Sequence, residues 1–125
     1  MNGDTAPRGA PREPGKMITC IVPDDGTDLR LLNALHDRFR IVRADTAPHR
    51  GVAALGNVKT KRGKLPESVM VRVVSVICDT VEADTVFEFM FAEAHLDKPG
   101  RGLMWQGPLI GITPFNLLAE NVRGS

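Results

Sequence analysis

The residues best suited to chemistry in this chain lie in two basic clusters. The first is Lys98-Pro99-Gly100-Arg101-Gly102, set between an apolar helix pattern and an apolar strand pattern. Lys98 and Arg101 can pair with phosphate or carboxylate oxygens, while Gly100 and Gly102 let backbone amides approach a ligand. The same residues also make an ordinary helix stop, because basic residues complement a helix C-terminus and glycine and proline follow it. Residue types alone leave both readings open.

The second cluster is Lys59, Lys61, Arg62 and Lys64 in the stretch KTKRGK. It lacks interleaved aromatics for base stacking, and the chain has no tyrosine, so a nucleic-acid partner is not expected. A solvated loop and a contact for an acidic partner both fit. His49, Arg50 and Gly51 lie in the same polar stretch, and His49 is the only histidine whose setting suggests ligand contact. His36 and His95 fall on helix patterns. No His or Cys spacing suits a metal, and no nucleophile stands with a base, so the chain is not expected to be an enzyme. Asp24-Asp25 reads as a turn leading into a helix start, where acids suit the dipole.

Composition sets the frame. The 125 residues are 42% apolar and 25% charged with a formal net charge of +1, which fits one globular domain and excludes a binder acting through bulk charge. No run reaches the roughly 18 apolar residues of a membrane span and no signal core stands at the start, so no membrane insertion and a cytoplasmic location are expected. Cys20 and Cys78 sit in β-branched runs and read as free, buried thiols.

The elements that must position the clusters follow from periodicity. Residues 1–15, with three of the nine prolines, read as a disordered leader. A strand begins at Met17, and TDLRLLNALHDRF makes an amphipathic helix through Leu31, Leu32, Leu35 and Phe39, capped by Thr27 or Asp28. A short strand is expected at about Arg40–Asp45, then a long loop from Thr46 to Ser68. SVMVRVVSVIC is the strongest strand, apolar on both sides. The segment 79–96 makes a second helix, with Asp79 or Thr80 as cap and Ala83, Phe87, Met90, Phe91 and Ala94 on one stripe. GLMWQGPLIGITPF supplies the last strand, with a bulge or bend expected at Gly107-Pro108. Trp105, Phe87, Phe89 and Phe91 read as core or oligomer contacts.

The order β-α-β, loop, β-α-β is that of an α+β, ferredoxin-like domain: an antiparallel sheet with both helices on one face. The expected layout is a leader over 1–15, one domain over 16–118 and a tail over 119–125. Because the third strand is apolar on both sides, a second copy is expected to cover the bare face.

This layout, followed by KPGRGLMW after the second helix, resembles the P-II signalling proteins, whose corner reads lysine, apolar, glycine, acid, glycine, lysine. Lys98, Gly100 and Gly102 fall on matching positions, whereas Arg101 replaces the acid and Leu103 the second lysine. The resemblance covers about Met17 to Phe115. It implies a homotrimer that binds an adenine nucleotide (ADP, ATP or AMP) between subunits, with Mg2+ as an allowed companion and no tightly bound cofactor. Lys98 to Gly102 would be the phosphate loop. The 46–68 loop would contact a regulated transporter or enzyme, without tyrosine uridylylation, and some relatives respond to bicarbonate or cyclic nucleotide as well. The other architectures kept open are a divalent-cation tolerance-like protein and a small-molecule regulatory module.

Overall fold

The computed structural model describes residues 9–52 and 68–112. Six elements follow in chain order: β1 (Glu13–Pro23), α1 (Thr27–Phe39), β2 (Ala44–Val52), β3 (Ser68–Cys78), α2 (Ala83–Glu93) and β4 (Leu103–Ile112). The strands form one antiparallel sheet in the order β2-β3-β1-β4. This is the expected βαββαβ architecture, with both helices packed on one face.

Register decides which side chains meet. Val74 pairs with Cys20 and Val76 with Ile18, and these four, with Val22 and Cys78, form the sheet's contribution to the core. Leu31 and Leu35 from α1 and Ala83, Val86, Met90 and Ala94 from α2 close over them. Burial lifts the thiols, Cys20 to about 12 and Cys78 to about 11, so both stay protonated near neutrality. The alternate set faces away from the helices. One row across that face runs Asp45, Ser75, Thr19, Trp105, and the next runs Ala47, Val73, Ile21, Leu103.

Several boundaries differ from the sequence expectation. The first strand begins at Glu13 rather than Met17, and Lys16 pairs with both Cys78 and Pro108; backbone pairing does not need the apolar alternation that residues 13–16 lack. The register shift in the β1–β4 ladder falls between Glu13 and Gly15, while Gly107 and Pro108 pair in regular register.

The second strand is displaced most. It spans Ala44–Val52 instead of 40–45, and it pairs with β3 from Ala44 opposite Val76 to Val52 opposite Ser68. Pro48 and Gly51 read as breakers, yet β2 is an edge strand, where a residue without an N–H can face outward. Arg40 instead closes α1 in the left-handed region, its N–H bonded to the His36 carbonyl at 2.9 Å. Residues 46–52 of the expected loop are therefore strand. The remainder to 67, with Lys59, Lys61, Arg62 and Lys64, lies outside the described residues, as do 1–8 and 113–125.

Helix α1 has the expected bounds, but neither Thr27 nor Asp28 caps it. Gly26 takes the cap position, and the Thr27 N–H donates to Asp25 Oδ1 at 3.1 Å. Helix α2 starts at Ala83, after a turn in which Glu82 N–H donates to the Asp79 carbonyl at 3.1 Å. On its stripe Ala83, Met90 and Ala94 are buried, Val86 joins them, and Phe91 is 38% exposed. Phe89 instead packs edge-on against Phe39, with centroids 5.1 Å apart.

Candidate functional site

The end of α2 unwinds through a short series of turns. His95 takes a positive φ of 57°, and the Lys98 N–H donates to the His95 carbonyl at 3.1 Å. Two glycines then finish the corner for different reasons. Gly100 has φ 75° with open space around its Cα, so only backbone conformation asks for glycine there. Gly102 has φ 123°, and a Cβ on it would lie 1.8 Å from the Ile21 carbonyl oxygen and 2.9 Å from the carbonyl carbon. Its missing side chain lets β4 start flush against β1.

The two basic residues of the corner diverge. Lys98 is exposed. Arg101 turns back onto the β1–α1 turn: Nη1 donates to Asp25 Oδ2 at 3.0 Å and Nη2 to Thr27 Oγ1 at 2.8 Å. Thr27 Oγ1 in turn donates to Asp25 Oδ1 at 2.5 Å, closing a ring of three side chains. The Thr27 hydrogen bond, opposed by partial burial and helped by the Arg101 guanidinium, brings Asp25 down to about 2. Asp25 is therefore a fixed negative charge. Arg101 Nε is buried and meets no acceptor among the described residues.

A second arginine grips the same turn from the other side. Arg72 Nε lies 3.2 Å from Asp24 Oδ1 and 3.7 Å from Asp28 Oδ2. The nearly buried Asp28 also accepts a hydrogen bond of 2.7 Å from Thr46 Oγ1 on β2. The segment 24–28 thus links the α2–β4 corner to the β2–β3 pair. Sequence reasoning passed over Asp25, Thr27, Asp28, Thr46 and Arg72 as site residues. One signal was present: Arg72 is the single charge in SVMVRVVSVIC, on the same alternate set as the buried Val74 and Val76, where a charge requires a partner.

Of the expected loop residues, the described ones do not join this site. His49, Arg50 and Gly51 sit on β2 opposite Val71, Met70 and Val69, and the His49 and Arg50 side chains are exposed. A concavity of about 490 Å³ lies elsewhere, on the helix-free face, lined by Met17, Asp45, Ser75 and Ile77 with Arg43 and Ala44. Among the described residues no group of three His, Cys, Asp or Glu side chains could hold a metal ion, and no helix is long and apolar enough to cross a membrane.

No protein-family model matches the chain, and no curated protein matches its sequence. Solved structures do match. The Arabidopsis thaliana PII protein bound to citrate superposes with a TM-score of 0.61 at 14% identity, over 82% of this chain and 84% of that one. The periplasmic divalent cation tolerance protein CutA from Archaeoglobus fulgidus gives a TM-score of 0.59 at 13% identity, over 84% and 92%. At these identities the likeness establishes the fold, which agrees with the architecture and the P-II-like resemblance read from the sequence.

Proposed function

We propose that this chain is a divergent P-II-like regulatory protein, a homotrimer that binds an adenine nucleotide at its subunit interfaces and signals through the segment joining β2 to β3. The observation that carries the reading is the α2–β4 corner, where exposed Lys98 and the positive-φ Gly100 and Gly102 match the lysine and glycines of the resembled family's phosphate-loop pattern. A lysine with nearby turn amides is a suitable receptor for a phosphate or carboxylate group. The helix-free sheet face supports the oligomer, because Met17, Val69, Leu103 and Trp105 expose apolar surface there. Arg101 supports the corner from within, through Asp25 and Thr27. The role is binding rather than catalysis, in a soluble cytoplasmic protein, with bicarbonate or another small anion as a candidate second ligand and a transporter or enzyme as the regulated target.

The test is isothermal titration with ATP, ADP, AMP and cyclic AMP, with and without Mg2+ and bicarbonate, beside light scattering for the oligomer. Binding of one nucleotide to a trimer, weakened at least about tenfold by Lys98→Ala, is the expected result; a loss of about 1.4 kcal/mol corresponds to that factor. Absence of binding to a folded protein sinks the reading. The near-equal likeness to CutA favours a second reading, a divalent-cation tolerance-like oligomer. Binding of Cu2+ or Zn2+ with no response to nucleotide would select it.

A further inference from the structure

We propose that Asp25 is a built-in competing anion at the corner, and that an external anion binds there by taking Arg101 away from it. This deepens the reading above and rests on its placing of the anion site at 98–102. Two observations carry it. Asp25 makes only a single contact with the guanidinium, through Oδ2 to Nη1 at 3.0 Å, because Oδ1 is held by the Thr27 N–H and hydroxyl. The side-by-side Arg–carboxylate pairing, the stronger and more directional geometry, is therefore not formed. Arg101 Nε is meanwhile buried without an acceptor among the described residues.

The resting pair thus leaves the guanidinium incompletely used. A phosphate or carboxylate offering two oxygens can engage Nε and an Nη together if the side chain swings outward, which Asp25 in its present contacts cannot do. Both partners lie near solvent, the Arg101 side chain 25% and the Asp25 side chain 46% exposed, so exchange does not require opening the core. The released Asp25 stays ionised, its carboxylate still bonded to Thr27 at the start of α1. Its charge sets a threshold: a weakly charged ligand does not displace it, whereas a polyanion does.

The probes are pyrophosphate and ADP, titrated calorimetrically into the full chain and its Asp25→Asn and Arg101→Ala variants. Asparagine keeps an oxygen for Thr27 and removes the competing charge. We expect Asp25→Asn to bind pyrophosphate about three- to fivefold more tightly, the scale of one exposed ion pair, and Arg101→Ala to cancel the gain in the double variant. Unchanged or weaker binding by a folded Asp25→Asn overturns the proposal. If the variant does not fold, the wild-type Arg101 Nε–H resonance, assigned by its loss in Arg101→Lys, must shift during the pyrophosphate titration; binding heat without that shift also overturns it. If wild type binds ADP with an affinity that Asp25→Asn leaves alone, the nucleotide reading stands and the competitor falls. If only Asp25→Asn binds pyrophosphate and neither binds ADP, the reverse holds. Silence from every variant removes both.

Discussion

From Val73 to Cys78, strand β3 passes through two environments in alternate residues. Val74, Val76 and Cys78 are buried under α1 and α2, while Val73, Ser75 and Ile77 on the opposite side are only partly covered. The contrast repeats across the sheet: Ile18 is fully buried, whereas its neighbour Met17 is 38% and Trp105 is 46% exposed. Across the sheet the open face also carries Thr19, Asp45 and Ser75, but on β3 both sides are largely apolar, so on that strand hydrophobicity does not distinguish them. The helices do, and they cover one face only. Among the described residues, the second face keeps exposed apolar surface at Met17, Val69, Leu103 and Trp105, the kind of patch that marks interaction sites.

The contrast is broken most severely from the helix side. Leu35→Ala removes a fully buried side chain from the core and is expected to cost about 2–5 kcal/mol, read as a lowered denaturation midpoint. Gly102→Ala acts in the plane between the faces, where the new Cβ meets the Ile21 carbonyl. It should destabilise clearly more than Gly100→Ala, which has open space and costs about 1 kcal/mol for its backbone conformation; equal losses would show that β4 can slide away from β1.

On the open face Trp105→Ala should leave the monomer's stability within about 0.5 kcal/mol while shifting the light-scattering mass toward smaller species. A core-sized loss of stability with no change in mass would erase the distinction between the faces. The thiols sharpen it further. Cys20 and Cys78 lie on the helix side and should resist a thiol reagent at pH 8 in the native state, then label fully on unfolding.

The smallest expected effect is at acid pH. Asp25 has its folded pKa lowered from 3.8 to about 2, so the stability it adds is complete above 3.8 and disappears as pH falls through about 2. Because its side chain is 46% exposed, screening holds the contribution to about 0.5–1 kcal/mol. Asp25→Asn should flatten the acid limb of the stability curve by that amount.

Where the fold was legible, a local pattern carried it. The segment of helix α1 could be read because Leu31 and Leu35 recur at helical spacing, though its Gly26 cap could not, and β3 because a β-branched run leaves few alternatives. The second strand was not legible. Ala44–Val52 contains Pro48 and Gly51 and little apolar alternation, and it is a strand because β3 offers it a ladder at the sheet edge. At the candidate site the glycines and bases of the corner could be seen in the sequence. The partner of Arg101 could not, since Asp25 lies 76 positions away.

Local pattern was enough for the element order, the two apolar helix faces and the glycine-rich basic corner after the second helix. It was enough because period and turn chemistry are properties of neighbouring residues. Packing alone set Arg101 inward with Lys98 exposed, made Arg72 and Arg101 grip one turn from two sides, and required Gly102 for close approach to β1. Those outcomes depend on which strands lie side by side, and strand pairing joins residues that no local pattern relates.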